Sequence, residues 1–363
     1  MELIVSAQDR SALSAYSPCP QGTCMVEHNV FQHVTPDLDL SVIVPCYNVE
    51  QYLPQCLDSL IHQQTSHSFE IIAVNDGATD GTSGILDFYK ERYPDLQVIT
   101  RENGGLAAAR NSGIRVSRGR YLAFVDSDDY VTDGFVENTL DVALRIDADV
   151  VATGQISFDE TRQYKKLFPS DEHDTAVLTG TAWGKIFNRD LFSRVVFPEG
   201  FWFEDTPIRH LIYPHIRRYA AVGNCAYMYR HNLQGINLSS QGKPKALDTV
   251  YITDVVLRDL ERVVSQEYLD GDVFFTAIAN QFYLNQCRIA GLPDDCRKRV
   301  FKIQSDFFDG IFQRKPYSGS VNSPLYVKAL RSRSFALAEM SVSMSFLNRA
   351  VKVLGKFTSS IKK

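Results

Sequence analysis

A chain of 363 residues is longer than one average domain, which predicts one large domain with an appended segment or two domains. Its composition, 44% hydrophobic and 22% charged, excludes collagen-like, low-complexity and wholly disordered proteins. The formal net charge is −5, from 38 Lys and Arg against 43 Asp and Glu, so nothing in the overall charge indicates a nucleic-acid partner. We therefore expect no nucleic-acid binding, and any phosphate recognition has to be local.

Seven cysteines are scattered along the chain, an odd number that differs from the dense, even frameworks of small secreted domains. This usage indicates a reducing compartment, and we expect a cytoplasmic protein. Cys19 and Cys24 could form a bridge or part of a metal site, but no second Cys/His pair at zinc spacing follows them, which favours free thiols. Residues 1–10 lack a basic and then apolar leader, and no stretch approaches the roughly 18 apolar residues of a membrane-spanning helix.

Taken in chain order, the predicted elements begin after residue 38. Residues 1–38 lack sustained periodicity and are predicted to be a weakly structured N-terminal extension. A β-branched run at 41–44 predicts a buried strand, and apolar residues at helical spacing predict a helix over 53–61. Further predicted elements are strands at 69–74, 96–99 and 121–125, a helix ending near Pro94 and a helix from Leu106 to about Val116. This alternation predicts an α/β fold, a three-layer α/β/α arrangement around a mainly parallel sheet.

The second half of the chain has a different character. The pattern loosens into short segments after residue 152 and becomes helical almost throughout from Lys245. We predict a first domain over residues 39–242, a helical C-terminal region over 243–343 and a basic amphipathic helix over 344–363. Residues 328–363 hold eight Lys or Arg against one acid, Glu339. Such a helix is typical of peripheral binding to an anionic membrane surface; the alternative is a helix that docks its apolar face on the protein.

Polar residues follow each predicted strand of the first domain. In a parallel sheet the ligand crevice lies at the carboxyl ends of the strands, so residues 45–48, 75–77, 101–105 and 126–129 are expected at one edge. Three carboxylates within 126–129 repel each other unless a cation or hydrogen-bond donors offset their charge. Hard oxygen ligands of this kind suit Mg²⁺ or Mn²⁺. The alternative is an acidic turn that caps a helix starting near Asp133.

Two further features point to a nucleotide at the same edge. Asp76 follows the second strand, where a carboxylate can accept hydrogen bonds from a nucleobase or from ribose hydroxyls; alternatively it is a turn or N-cap residue. Gly104 and Gly105 precede the next helix and leave its N-terminal N–H groups without a side-chain cap, and Arg110 lies in the second turn of that helix. Both features favour a bound anion. The alternative is a flexible loop with a surface arginine. Together these groups predict a site for a nucleoside diphosphate with its cation.

Four motifs, at residues 42–48, 74–81, 102–113 and 126–129, stand in a characteristic order and spacing. In this order they closely resemble family 2 glycosyltransferases of the GT-A fold. The resemblance continues through residues 183–187, 197–200, 204–205 and 227–230, so it covers about residues 40–232. It does not cover the first 38 residues or the helical C-terminal region.

The resemblance implies a metal-dependent, inverting transferase of the hexosyltransferase type. It would move a sugar from a nucleoside-diphosphate donor, with a UDP-sugar favoured, to a hydroxyl group of a glycan or lipid-linked acceptor. The implied cofactor is Mn²⁺ or Mg²⁺, and the implied setting is cell-surface polysaccharide synthesis. The basic C-terminal helix suggests that the cytoplasmic protein binds peripherally to the cytoplasmic face of the membrane. Two other interpretations stay open, a catalytically silent nucleotide-sugar-binding or assembly subunit and a nucleotidyltransferase.

Carried over residue by residue, the resemblance also implies a donor site. Its expected residues are Pro45, Tyr47, Asn48, Asp76, Arg110, Asp126 and Ser127. Asp128 and Asp126 would ligate the cation, and His231 is a further candidate ligand, against a solvated or structurally bonded histidine. This chain has Asn75 where family members often have Asp, which leaves Asp76 as the residue that contacts the base.

The reaction itself is expected at a second pair of acids. Asp205 matches the family's catalytic base, with Glu204 next to it; the alternative for Asp205 is an N-cap of a helix from about Pro207. The expected acceptor pocket contains Trp183, Lys185 and Trp202.

Overall fold

The structure is a computed structural model that describes residues 5–20, 25–27, 30–31, 35–159, 163–167, 178–232, 240, 242–312 and 323–360. These residues form two compact units. One unit contains residues 21–235, and the other contains residues 1–20 together with residues 236–363.

The described strands form one sheet in the 21–235 unit. They are β1 Leu38–Cys46, β2 Phe69–Asn75, β3 Leu96–Thr100, β4 Gly119–Phe124, β5 Tyr130–Val131, β6 Val150–Phe158, β7 Gln163–Leu167, β8 Lys185–Asn188 and β9 Tyr219–Arg230. The order is β3-β2-β1-β4-β8-β6-β9-β5, with β7 paired to β6. β1 runs parallel to β2 and β4, β2 runs parallel to β3, and β6 runs parallel to β9. The shorter pairings of β5, β7 and β8 are antiparallel, so the predicted mainly parallel α/β sheet is confirmed.

The helices agree with the predicted alternation. They are α1 Ala7–Ser14, α2 Leu53–Ile61, α3 Thr82–Arg92, α4 Leu106–Val116, α5 Phe135–Ile146, α6 Asp248–Leu260, α7 Gln266–Leu269, α8 Asp272–Arg288, α9 Asp294–Phe312, α10 Pro324–Ser332 and α11 Phe335–Ser360. Short turns of 3₁₀ or π helix lie at Arg189–Phe192, Ile208–Ile212, Tyr213–His215 and Pro244–Leu247. In α2 the buried residues are Leu53, Cys56, Leu57 and Leu60, which have the spacing of one helical face. The helix has a proline in its first turn, where the backbone nitrogen makes no hydrogen bond within the helix.

Helix α4 lies unusually close to the central strand. It buries Ala107, Ala108 and Ala109, and a Cβ at Gly113 would lie 2.5 Å from Cγ2 of Ile43 in β1. Only glycine fits at that distance, so the small residues of α4 let the helix approach the sheet. The same helix carries Arg110, which is buried.

The other unit includes part of the segment predicted to be a weakly structured extension. Residues Ala7–Ser14 are helical, and the Ser6 side chain accepts a hydrogen bond from the Asp9 N–H at the start of α1. The Val5 N–H donates to Oδ1 of Asp254 at 3.1 Å, and an Arg299 Nη1–Asp9 Oδ1 ion pair spans 2.9 Å. The difference from the expectation has a simple reason: α1 buries only Leu13, so its sequence shows no apolar stripe. Cys19 is a free thiol, and Cys24 lies outside the described residues.

The C-terminal part is helical, as predicted. Five helices follow one another from Asp248 to Phe312 and from Pro324 to the end of α10, and α11 runs from Phe335 to Ser360. The segment predicted as an amphipathic helix, 344–363, is therefore helical as far as residue 360, while residues 361–363 lie outside the described part of the chain. Among the described helices, none combines the length and apolar character needed to cross a membrane.

Candidate active site

The acidic loop after β4 is anchored through one of its three carboxylates. Asp129 is buried, and its two carboxylate oxygens accept hydrogen bonds from the Tyr227 hydroxyl and the Arg230 N–H, both at 2.7 Å. The loop meets these partners because β5, which follows it, pairs with β9. Burial, together with the nearby charges of Asp128 and Asp126, raises the pKa of Asp129 well above its usual range. Asp129 therefore fastens the loop that carries Asp126 and Asp128.

Asp126 and Asp128 lie close enough for the charge of Asp126 to affect the ionisation of Asp128. Burial and then the charge of Asp126 raise the pKa of Asp128, whose Oδ2 accepts a hydrogen bond from Nδ2 of Asn232 at 3.1 Å. Arg230 holds the backbone here, since its Nε donates to the Asp128 carbonyl at 2.7 Å. Asn232, Tyr227 and Arg230 were not predicted as site residues. Residues 227–230 carried part of the resemblance, but nothing in the sequence shows that β9 pairs with the strand following the acidic loop.

Arg110 joins three acids from two parts of the chain. It is 1% exposed, its Nη1 lies 2.9 Å from Oε1 of Glu204 and 2.7 Å from Oδ1 of Asp205, and its Nη2 lies 2.8 Å from Oδ1 of Asp126. The nearby carboxylates raise the pKa of this guanidinium, although burial opposes them. The sequence placed Arg110 near a bound anion; in the structure its hydrogen-bond partners are carboxylates of the protein.

Helix α4 contacts the Glu204–Asp205 pair through Arg110 and the segment before it through Asn111. Next to Arg110, the buried Asn111 donates from Nδ2 to the Phe197 carbonyl at 2.9 Å and accepts from the Phe197 N–H at 2.8 Å. Burial and then the charge of Asp205 raise the pKa of Glu204 to about 7.

Asp205 is the more accessible member of the pair, with a side chain 26% exposed. Burial and the charge of Asp126 raise its pKa, while the charge of Arg110, the nearby backbone N–H of Ala182 and the charge of Lys185 lower it. The turn at Ile208–Ile212 has no side-chain cap, so the alternative role of Asp205 as an N-cap is not seen.

Asp76 closes the loop that follows β3. Its Oδ1 accepts the Gly104 N–H at 3.0 Å, and its Oδ2 accepts the Gly105 N–H at 2.7 Å. The sequence predicted that these N–H groups would bind an anion. In the structure the anion is the carboxylate of Asp76, which lies at the N-terminus of α4. Gly77 permits the approach, because it has φ +70° and a Cβ there would lie 2.8 Å from the Asn103 nitrogen.

The other expected donor-site residues lie at the same edge of the sheet. Pro45 is buried near the end of β1, Tyr47 is 48% exposed, and Ser127 is buried. Asn48 is exposed, and its Oδ1 accepts a hydrogen bond from the Thr79 N–H at 2.8 Å. The loop after β1 thus presents one large aromatic ring to solvent beside Asp76, whose N–H donates to the Cys46 carbonyl at 2.9 Å.

The three residues expected in an acceptor pocket differ in burial and in contacts. Trp183 stacks on Tyr227, with ring centroids 4.8 Å apart, and on Tyr229, at 5.0 Å. Lys185 is 2% exposed and enclosed by polar atoms, whereas Trp202 is half-buried and makes an edge contact with Phe203. Lys185 is therefore enclosed, whereas Trp183 and Trp202 are both partly exposed.

His231 lies at the end of β9 and is exposed. Its N–H donates to the Phe158 carbonyl at 2.8 Å, and its ring makes an edge contact with Tyr229. It thus has structural contacts while the imidazole remains within reach of solvent.

Comparison with known proteins connects this arrangement to a family. Residues 41–201 match the sequence profile of Glycosyl transferase family 2. The uncharacterized glycosyltransferase EpsJ of Bacillus subtilis (strain 168) is 33% identical over 333 residues, which cover 85% of this chain and 94% of that protein. The minor teichoic acid biosynthesis protein GgaB of the same organism is 29% identical over 219 residues, which cover 56% of this chain and 24% of GgaB.

A solved structure shows that the fold extends beyond the profile. The crystal structure of S. aureus TarS 1-349 in complex with UDP-GlcNAc superposes with a TM-score of 0.64 at 19% sequence identity. The match covers 86% of this chain and 92% of the TarS chain. At this identity the likeness establishes the fold and leaves the ligand to be argued from the site.

Proposed function

Because this chain belongs to glycosyl transferase family 2 and has the GT-A fold, we propose that it is an inverting transferase acting on a nucleoside-diphosphate sugar. The donor is a UDP-sugar, and the acceptor is a hydroxyl group of a glycan or lipid-linked glycan in cell-surface polysaccharide synthesis. One observation carries the proposal: a single buried guanidinium joins Asp126 of the acidic loop to Asp205 and Glu204. The carboxylate proposed to lie near the donor, Asp126, is therefore a neighbour of the two proposed to lie near the acceptor, Asp205 and Glu204.

The donor is proposed to bind along the ends of β1, β2 and β4. Each oxygen of the Asp76 carboxylate accepts one backbone N–H, and a carboxylate has further acceptor capacity for the imide of a base or for ribose hydroxyls. The exposed ring of Tyr47 offers a face for a base, with Pro45 and Asn48 beside it. Ser127 and Asp126 would border the ribose and sugar.

The acidic loop fits a divalent cation by its chemistry. Asp126 and Asp128 are hard oxygen ligands, and their mutual repulsion in a partly desolvated place is the condition that a cation relieves. Asp128 and Asp126 would hold Mn²⁺ or Mg²⁺, and the exposed His231 is a further candidate ligand. When bound, such an ion stabilises the negative charge of the departing nucleoside diphosphate as a Lewis acid.

Asp205 is the proposed general base. It accepts the proton of the acceptor hydroxyl as that oxygen forms a bond to the anomeric carbon, and the bond from this carbon to the diphosphate oxygen breaks with its electron pair. A single displacement of this kind inverts the anomeric centre and requires no nucleophilic carboxylate. Arg110 keeps Asp205 ionised and oriented, since the distance between its Nη1 and Oδ1 of Asp205 is 2.7 Å.

The variant Asp205→Asn tests the assignment. We expect UDP release from a UDP-sugar in the presence of Mn²⁺ to fall by about 10² or more, because general base catalysis typically contributes about 10²–10⁴. Donor binding, measured by thermal shift, should persist. The control variant is Asp87→Asn at an exposed position of α3.

The same assay separates the alternatives. Near-normal turnover of Asp205→Asn would refute the role of Asp205, and donor binding without any turnover by the unmodified protein would indicate a silent binding subunit. Release of pyrophosphate in place of a nucleoside diphosphate would indicate a nucleotidyltransferase.

We further propose that the C-terminal helix places the enzyme on the cytoplasmic face of an anionic membrane, where lipid-linked acceptors occur. Met340, Met344 and Leu347 are exposed by 53%, 51% and 65% and recur at the spacing of one helical face of α11. The surrounding sequence, residues 328–363, has eight basic residues and one acid. Exposed apolar side chains next to positive charge suit an interfacial helix.

Sedimentation with phosphatidylglycerol vesicles tests this placement. We expect the variant carrying Met344→Glu and Leu347→Glu to lose vesicle binding, whereas Val273→Glu, at another exposed apolar residue of the same unit, should retain it. Equal partitioning of both variants would contradict the proposal.

A further inference from the structure

Arg101 lies beside the carboxylate that is proposed to contact the base. It directly follows β3, and its N–H donates to the Asn75 carbonyl at 3.0 Å, which fixes its backbone against the end of β2. Its Nη1 lies 3.5 Å from Oδ1 of Asp76. The guanidinium group and the carboxylate therefore form an ion pair at the edge of the sheet that is proposed to bind the donor.

Gly104 leaves the space that this guanidinium group occupies. A Cβ on residue 104 would lie 2.7 Å from Nη2 and 3.1 Å from Cζ of Arg101, so a side chain there would displace the group. The N–H of the same glycine donates to Oδ1 of Asp76 at 3.0 Å. The loop after β3 thus holds the carboxylate through its backbone and makes room for the guanidinium group through its lack of a side chain.

The ion pair leaves a hydrogen-bond donor next to an acceptor. The separation of 3.5 Å exceeds the usual N···O distance of about 2.7–3.2 Å, and the buried Nη1 of Arg101 makes no hydrogen bond with any residue that the structure describes. Oδ1 of Asp76 accepts one N–H and has capacity for another. A buried donor without a partner is rare in folded proteins, and here it indicates an acceptor supplied by a ligand. The Arg101 side chain as a whole is 27% exposed, so a ligand can reach it.

We propose that Arg101 is a specificity-determining residue of the donor site. Asp76 accepts the ring N–H of the base, and a guanidinium N–H of Arg101 donates to the carbonyl oxygen next to that N–H. The inference rests on the proposed function in taking Asp76 as the residue that contacts the base. It adds a physical reason why one class of bases is accepted and another is excluded.

The two side chains would distinguish bases by the groups on one edge. Uracil, thymine and guanine each have a ring N–H next to a carbonyl oxygen, which matches an acceptor beside a donor. Cytosine and adenine have a ring nitrogen that only accepts, next to an amino group that donates. With these bases the carboxylate of Asp76 would face an acceptor and the guanidinium group of Arg101 would face a donor. We therefore expect the site to bind UDP and to exclude CDP.

Isothermal titration calorimetry with UDP and CDP in the presence of Mn²⁺ tests the inference. We expect the unmodified protein to bind UDP more tightly than CDP. In Arg101→Met, which removes the charge and the donors, the affinity for UDP should fall by about tenfold or more, because a hydrogen bond from a charged group is lost. The affinity for CDP should not fall, because CDP does not make this hydrogen bond.

The matched control is Arg120→Met. Arg120 also pairs with an aspartate, since its Nη2 lies 2.6 Å from Oδ1 of Asp147, but it lies near the start of β4, at the opposite edge of the sheet. This variant should leave both affinities unchanged. Gly104→Ala is a second test, because the added Cβ would displace the guanidinium group and keep its charge. We expect it to weaken the preference for UDP in the same direction, and it decides if Arg101→Met does not fold.

Equal losses of UDP and CDP affinity in Arg101→Met would overturn the inference, because the arginine would then contact a group that both nucleotides share, such as the diphosphate. Unchanged affinities, or an unmodified protein that binds UDP and CDP equally, would also overturn it and leave the proposed transferase intact. If the unmodified protein bound no nucleotide, the proposed donor site would be refuted and this inference with it.

Discussion

The buried Glu204 is predicted to make the stability of the 21–235 unit depend on pH near neutrality. Its folded-state pKa of about 7 lies above the ordinary value of 4.5. A carboxyl whose pKa is raised in the folded state stabilises that state fully below its unfolded-state pKa, and this contribution is lost as pH rises through the folded-state value. The difference between about 7 and 4.5, at about 1.4 kcal/mol for each pKa unit, corresponds to about 3 kcal/mol.

The substitution Glu204→Gln removes the ionisation and keeps the shape. The amide oxygen can still accept the hydrogen bond that Nη1 of Arg110 makes to Oε1 of Glu204 at 2.9 Å. We therefore expect the free energy of unfolding to fall by about 3 kcal/mol more in the unmodified protein than in Glu204→Gln between about pH 4.5 and pH 8. Because Glu204 and Asp205 are neighbours, part of this difference belongs to the pair.

Urea unfolding followed by tryptophan fluorescence is the suitable assay. The chain has two tryptophans, Trp183 and Trp202, and both belong to the 21–235 unit, so the signal reports the unfolding of the unit that contains Glu204. Glu102→Gln, at an exposed position, is the matched control and should follow the unmodified protein. Parallel pH profiles for the unmodified protein and Glu204→Gln would mean that folding does not change the pKa of Glu204, which would refute the effect of burial.

Two further predictions concern packing around the site. Gly113→Ala should lower the free energy of unfolding by about 1–3 kcal/mol, because its Cβ would meet Ile43 of β1, whereas Gly84→Ala in α3, with nothing within 4 Å of its Cβ, should raise it by about 0.5–1 kcal/mol. Equal effects in the same urea assay would contradict the close approach of α4. Tyr227→Phe removes a donor from the buried Asp129 and should cost about 1–3 kcal/mol. A stability equal to that of the unmodified protein would show that Asp129 does not depend on this hydroxyl.

The parallel part of the fold and the acids at its edge could be predicted from the sequence because both depend on local patterns. Alternating strands and helices place residues 76 and 126 at the carboxyl ends of β2 and β4, which flank β1. The predicted helix from Leu106 to about Val116 agrees with α4.

Contacts between distant parts of the chain could not be predicted in this way. The position of Arg110 between Asp126 and Asp205 depends on how residues 197–205 fold back onto α4, and no periodicity encodes that. Likewise, the stacking of Trp183 between Tyr227 and Tyr229 requires the pairing of β9 with β6, which joins residues far apart in sequence. The family resemblance suggested Trp183 and Lys185 for an acceptor pocket, and in the structure both side chains contact other residues of the protein.

The central claim is that Asp76, Asp126 and Asp128 form the binding site of a nucleoside diphosphate sugar together with a divalent cation. A thermal-shift panel of UDP, GDP, CDP and dTDP with their glucose or N-acetylglucosamine derivatives, with and without Mn²⁺, tests it most directly, because at a given ligand concentration a tighter ligand stabilises the folded protein more. We predict that one nucleotide, a uridine nucleotide, raises the melting temperature with Mn²⁺ and that Asp128→Asn abolishes most of this effect, while the exposed control Asp133→Asn retains it. The claim would be contradicted if none of these nucleotides raised the melting temperature. It would also be contradicted if the nucleotide stabilised Asp128→Asn as much as the unmodified protein, and did so equally without Mn²⁺.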